Sequence, residues 1–279
     1  MSGMPSHFLI IGGDGVIGHA LKARLQNEGL EHSATTRRTA GALDALYFDL
    51  ATPPENWPEL PKSKVVFICA AATKLDMCED NPEATRLVNV THMQALIERI
   101  QSYSGLPVFL SSNAVFDGSK PYRQAGEQTC PVNEYGRQKA VLEQWLLHRP
   151  HLSAILRLTK VINGRLPITH GWQDKLESYN TVEAFDDLTF SPLPLESVLD
   201  GLIAIGTQNR TGIFQLSGKK QLSYYEIACK LATKMGRDVK LVKPVSAQAA
   251  GIRPQFLPRF GTLDCSSMAD ITVHDTDCL

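Results

Sequence analysis

Residues 8–25 read FLIIGGDGVIGHALKARL and combine three patterns that seldom meet by accident. Four apolar residues run without interruption at 8–11, the mark of a strand buried on both faces. From Val16 onward, apolar side chains recur at 16, 17, 20, 21 and 25, the spacing of a helix with one inward stripe. Between them lie Gly12, Gly15 and Gly18, and the run from Gly13 also satisfies G-x-G-x-x-G. Such a turn lets backbone come close to a pyrophosphate, and the helix start offers unpaired N–H groups and the positive end of its dipole. Gly12, Gly15, Val16, Ile17 and Gly18 are therefore candidate dinucleotide-binding residues.

The rest of the first half repeats the alternation. Strands are expected at 31–36, 65–70 (VVFICA), 108–111 and 153–158, with helices at 82–100, opening on Pro82, and at 133–148. Strands apolar on both faces, alternating with helices, predict an α/β fold: a doubly wound parallel sheet of the Rossmann type. After residue 160 the rhythm breaks. It returns as a helix over 195–206, a strand over 212–218, and a helix over 223–236 that Ser223 and Glu226 open as a capping box. The expected division is a dinucleotide domain over 1–160, with 193–218 returning to it. Residues 161–192 and 219–279 would form a smaller, interleaved substrate lobe.

Bulk properties narrow the function classes. Lys and Arg number 28 against 29 Asp and Glu, which argues against a nucleic-acid binder or a membrane-surface protein. No apolar run approaches the ~20 residues that cross a bilayer, and the N-terminus has no basic secretory signal. The six cysteines form no C-x-x-C pair, as expected of reduced thiols in a cytoplasmic protein. The eight histidines show no ligand spacing, so no metal site is expected.

An acid after the second strand favours NAD, and an arginine there favours the 2′-phosphate of NADP. This chain has Arg37 and Arg38, about 20 residues past Gly18. NADP is the expected cofactor, with NAD as the alternative. Asp49, followed by Leu50, is a candidate acceptor for the adenine edge, and Ala70, Ala71 and Ala72 would let the chain pass close to the cofactor. Tyr135 and Lys139 lie four apart on the helix at 133–148 and so share a face. With 7 tyrosines in the chain, that spacing alone carries little weight. Ser112 adds to it, because a hydroxyl at the carboxyl end of a parallel strand stands where such sheets bind ligands. A ketone that accepts hydride needs a proton donor and a hydrogen-bond partner, and a phenol needs a nearby cation to act near neutrality. Ser112, Tyr135 and Lys139 are the candidate catalytic set.

Four stretches, GGDGVIG, CAAATKLDMCEDNPEATRLVNV, FLSSNAVFDGSKPY and CPVNEYGRQKAVLEQWL, resemble an extended short-chain dehydrogenase/reductase. Within that class they are similar to the dTDP-4-dehydrorhamnose reductase family. FSPLPLESVLDGL, GIFQLSGKKQLSYYEIACKLA and RPQFLPRFGTLDCSSM extend the resemblance over nearly the whole chain. It implies NADPH-dependent reduction of a nucleotide-linked 4-keto-deoxysugar. Ser112 would bind the carbonyl, Tyr135 donate the proton, and Lys139 hold the nicotinamide ribose. Asn89 would lie on a supporting helix, and Thr73, Ser112, Asn113 and Lys160 would meet the substrate. Three positions depart from the family pattern: Ser112 stands for a threonine and keeps its hydroxyl, Asn113 stands for an acid, and Lys160 for a tryptophan that meets the sugar. Lys160 would face a phosphate or lie on a solvated rim. Two alternatives stay open. One is an NAD-dependent sugar-nucleotide epimerase with the same three residues. The other is a non-catalytic dinucleotide-binding subunit like the regulatory subunit of methionine adenosyltransferase. The sequence leaves a homodimer open.

Overall fold

A computed structural model describes residues 8–38, 46–149, 152–164 and 166–275. The chain runs β1 (Phe8–Ile11), α1 (Val16–Asn27), β2 (His32–Thr36), β3 (Leu46–Tyr47) and β4 (Val65–Ile68). Then follow α2 (Leu75–Asp80), α3 (Pro82–Arg86), α4 (Met93–Gln101), β5 (Leu106–Ser112), α5 (Glu134–Leu147) and β6 (Ala154–Leu158). The second half holds β7 (Lys160–Ile162), α6 (Ile168–Glu177), β8 (Val182–Phe185), β9 (Thr189–Phe190) and β10 (Pro192–Pro194). It ends with α7 (Leu195–Thr207), β11 (Gly212–Leu216), β12 (Leu222–Ser223), α8 (Tyr224–Lys234) and β13 (Val242–Val245).

Seven strands make one parallel sheet in the order β11-β6-β5-β4-β1-β2-β3. The strand period of two sorts its side chains into two cores. Phe8, Ile10, Val65, Phe67, Val108 and Leu156 meet Leu21 and Leu25 of α1 and Val198, Leu202 and Ile205 of α7. Leu9, Ile11, Val66, Ile68, Phe109 and Ile155 meet Met93, Leu96 and Ile97 of α4 and Leu142 and Leu146 of α5. Burial on both faces explains why FLII and VVFI show no alternation; each such side chain contributes roughly 1.5–3 kcal/mol when fully buried.

A smaller lobe packs α6 and α8 on the parallel pair β8–β13, around Trp172, Leu176, Val182, Ile227 and Leu231. The capping box of Ser223 and Glu226 opens α8. The last described stretch leaves this lobe. Leu263 packs with Val115, Phe116 and Ala140, and Met268 enters the core beneath α7.

Some elements differ from expectation. The helix expected over 82–100 is interrupted by a π-helical stretch, Leu87–His92, which turns two polar side chains inward. Asn89 and His92 are both buried there, and His92 Nδ1 lies 2.7 Å from the Leu50 carbonyl. The helices α2 and α6 and the short strands β3 and β13 lie outside the elements expected from the sequence. No described helix is long and apolar enough to cross a membrane.

Candidate active site at the carboxyl ends of the strands

The strand order reverses between β1 and β4, which opens a crevice beyond their carboxyl ends. Gly12 stands at its edge with φ +86°, and a Cβ there would come within 3.0 Å of Ala70. Gly18 lets α1 approach that turn, since a Cβ on it would lie 2.2 Å from the Gly12 carbonyl oxygen. The Gly12 N–H donates to Thr35 Oγ1 at 3.0 Å, tying the turn to β2. At Gly15 a Cβ would meet only the Gly12 oxygen, at 3.5 Å, so the described protein leaves that side of the turn open. Gly15 caps α1 without a side-chain acceptor, and the first turn holds no acid. The N–H groups of this turn thus face the crevice as an anion site. Val16, at the mouth, is 61% exposed. The buried Ser111 hydroxyl, one residue before Ser112, has no partner among the described residues. A glycine cradle and a bare helix start together fit the phosphates of a dinucleotide.

The other cofactor candidates lie on the segments that follow β2, β3 and β4. Arg37 and Arg38 are exposed beyond β2, with Arg38 Nε 3.8 Å from Asp14 Oδ2. Asp49 accepts from the Ala51 N–H at 3.0 Å, and the Leu50 side chain is buried. Ala70, Ala71 and Ala72 are half-buried on the loop after β4, where Thr73 is exposed.

That loop is joined to α5 by a polar network that the sequence does not reveal. Asn89 pairs with both backbone groups of Ala72, accepting at 2.8 Å and donating at 2.9 Å. Asn89 Nδ2 also donates to Gln138 Oε1 at 2.8 Å, and Gln138 Nε2 donates to Thr85 Oγ1 at 2.9 Å. Asn89, Gln138 and Thr85 are all buried, so each needs these partners.

Ser112 ends β5 and Tyr135 stands in the first turn of α5. Asn133 caps this helix, accepting from the Gly136 N–H at 2.8 Å. Gly136 allows the close approach: a Cβ there would lie 2.0 Å from the Ala114 carbonyl oxygen. The Ser112 hydroxyl and the Tyr135 phenol are thereby brought together. Both line one cavity of about 290 Å³. Lys139, 3% exposed, donates from Nζ to the Leu110 carbonyl at 2.8 Å and lies 5.6 Å from the Tyr135 ring centroid.

Burial dominates the electrostatics. It pushes the Tyr135 phenol up, while the Ser112 hydrogen bond pulls it back. It lowers Lys139 to about 8, against an upward pull from Glu143. Lys139 was expected to be the cation that lowers Tyr135. In this geometry desolvation is the larger effect, and the ammonium is directed at a backbone carbonyl.

The cavity is walled by both halves of the chain. Phe190 and Tyr224 enter from the lobe, and Phe256, Pro258 and Phe260 from the stretch beyond it; none of these stood out in the sequence. Lys160 donates from Nζ to the Tyr224 hydroxyl at 2.6 Å and lies 4.6 Å from the Phe190 ring centroid. Lys160, Leu188 and Tyr224 also border a second cavity of about 1070 Å³ in the lobe, whose apolar lining includes Leu166, Trp172 and Phe185. Asn113 accepts from Ser112 Oγ at 3.3 Å and donates to the Gly261 carbonyl at 3.0 Å.

Known proteins resemble this chain at several levels. A curated relative, dTDP-4-keto-6-deoxy-D-glucose reductase of Streptomyces niveus, is 28% identical over 265 residues, or 91% of this chain and 88% of that protein. Methionine adenosyltransferase 2 subunit beta of Xenopus tropicalis is 26% identical over 231 residues, or 76% of this chain. The match spans 66% of that subunit, just under two thirds of its length. Among solved structures, dTDP-4-dehydrorhamnose reductase from Bacillus anthracis in complex with NADP superposes with a TM-score of 0.77 at 18% identity, covering 94% of this chain and 92% of that one. A hypothetical dTDP-4-dehydrorhamnose reductase from Sulfolobus tokodaii also gives 0.77, at 23% identity, covering 98% of each chain. The model of the RmlD substrate binding domain matches residues 6–276, and the chain belongs to that family.

Proposed function

We propose that the chain is an NADPH-dependent oxidoreductase that reduces the keto group of a nucleotide-linked 4-keto-deoxysugar. The observation that carries this reading is the Ser112–Tyr135 pair on the wall of one cavity, where the strand ends meet the lobe. The cofactor would lie along Gly12, Gly15, Val16, Ile17 and Gly18, with residues 70–72 beside it and Asp49 and Leu50 toward the adenine. Arg37 and Arg38 would meet the 2′-phosphate with the planar donor fork of arginine. Bound there, NADPH supplies the hydride. Ser112 holds the ketone oxygen, Tyr135 gives it a proton, and Lys139 holds the nicotinamide ribose. Residues 161–192 and 219–261 hold the sugar nucleotide. Lys160 faces a phosphate at the junction of the two cavities, and Thr73 and Asn113 flank the sugar.

The test is consumption of NADPH in the presence of nucleotide-linked 4-keto-6-deoxysugars. Tyr135→Phe should lose about 10²–10⁴ of that activity, the usual share of a positioned proton donor. Full activity in Tyr135→Phe would refute the mechanism. Substrate interconversion without net NADPH consumption would indicate an epimerase. A second reading is supported by the similarity to methionine adenosyltransferase 2 subunit beta. Recovery of a stoichiometric methionine adenosyltransferase, with no turnover of any keto-sugar, would favour a regulatory subunit.

A further inference from the structure

Residues 253–261 run along the catalytic cavity, and Gln255, Phe256, Pro258, Phe260 and Gly261 line it. On the lobe side the segment is held by Gln221, which accepts from the Gly261 N–H at 2.7 Å and donates to the Arg259 carbonyl at 2.6 Å. Thr189 Oγ1 donates to the Pro258 carbonyl at 3.2 Å. On the sheet side the Phe260 N–H donates to the Gly118 carbonyl at 3.0 Å. Two more ties are side-chain amides with the same arrangement. Asn113 presents its oxygen to the Ser112 hydroxyl and its N–H to the Gly261 carbonyl. Asn133 presents its oxygen to the start of α5, at the Gly136 N–H, and its N–H to the Gln255 carbonyl at 3.3 Å. Each amide therefore has one end on a catalytic element and the other on the same segment.

We propose that residues 253–261 form a strap along the cavity, clasped by Asn113 and Asn133, and that its seating aligns Ser112 and Tyr135. The two ends of a primary amide are rigidly opposed. Pinning the N–H end on the strap therefore fixes where the oxygen end points. At Asn113 that oxygen takes the Ser112 proton and so orients the hydroxyl beside Tyr135. At Asn133 it holds the first turn of α5, which carries Tyr135. Asn113 and Asn133 act here as positioning residues.

The inference rests on the reading of Ser112 and Tyr135 as the reacting pair, and its test separates the two. Asn113→Asp and Asn133→Asp each keep the inward acceptor and remove the outward donor. Hydrogen exchange is measured on the whole protein without substrate. Asn113→Asp should speed exchange at Phe260 and Gly261, and Asn133→Asp at Phe256 and Leu257, each about fivefold, the factor for one hydrogen bond of ~1 kcal/mol. Exchange in β1 and β4 should stay as in the parent, which excludes general unfolding. On a keto-sugar nucleotide, kcat should fall about fivefold or more while the KM for NADPH is unchanged. Unchanged strap exchange in both variants would overturn the clasp. Faster strap exchange with unchanged kcat would overturn the coupling to Ser112 and Tyr135. A parent protein that reduced no keto-sugar would refute the proposed function instead, while exchange alone would still decide the strap.

Discussion

Replacing Gly136 by alanine puts a methyl group where the Ala114 carbonyl already lies. The added Cβ would stand 2.0 Å from that oxygen, 2.8 Å from its carbon and 3.1 Å from Pro131 Cβ. Real Cβ atoms essentially never approach closer than 3.0 Å, so α5 and the turn after Ser112 must part by about 1 Å. The two atoms nearer than 3.0 Å are both backbone and cannot swing aside. Overpacking of this kind costs about 1–3 kcal/mol of stability. The shift also separates the Tyr135 phenol from the Ser112 hydroxyl, and a misplacement of about 1 Å is enough to cost ~10²-fold in rate. Gly136→Ala should therefore lower kcat on a keto-sugar nucleotide by about two orders of magnitude, read from the nicotinamide absorbance. NADPH binding, followed by its fluorescence, should survive, because the Gly12 turn is built by other elements. Gly171→Ala is the control: it lies within α6, and a Cβ there meets nothing within 4 Å. It should leave kcat unchanged and stabilise the fold by about 0.5–1 kcal/mol. A Gly136→Ala protein with the parent's kcat and melting temperature would refute the claim that this contact sets the site.

Two further outcomes concern stability. Arg157 and Glu143 form a buried ion pair at 2.6 Å, with side chains 2% and 1% exposed, so Arg157→Met should cost about 3–5 kcal/mol in denaturant melts by stranding the carboxylate. Lys139 has a native value of about 8 against an ordinary 10.5, so below pH 8 both the native and the unfolded chain hold the proton and the native state bears the cost of a buried ammonium. As pH rises from 8 toward 10.5 the native state releases that proton first. The unfolded chain then binds more protons, and stability relative to Lys139→Met should rise by up to ~3 kcal/mol; a flat difference would show that the lysine is not desolvated.

The legible part of this protein is the part written in local periodicity. Unbroken apolar runs such as VVFI and the glycines between β1 and α1 specify a buried strand and a strand–turn–helix unit without reference to distant residues. A parallel, helix-covered sheet follows, because strands buried on both faces need layers on both sides. Ser112, Tyr135 and Lys139 could be named because their chemistry and spacing are local. What surrounds them was not legible. Gln138 reads as one more polar helix residue until Asn89, 49 positions away, is found against it. Gly136 reads as an ordinary helix glycine until the Ala114 carbonyl is found beneath it. Asn113 meets Gly261 across 148 positions, through a strap with no periodicity to announce it. The environment of Lys139 could not be inferred either, because its charge depends on how completely packing removes water. The sequence carries the elements and the reactive groups, since neighbours along the chain determine them. Close approach and desolvation are set only when remote segments pack, and here they are what turn a serine and a tyrosine into a pair.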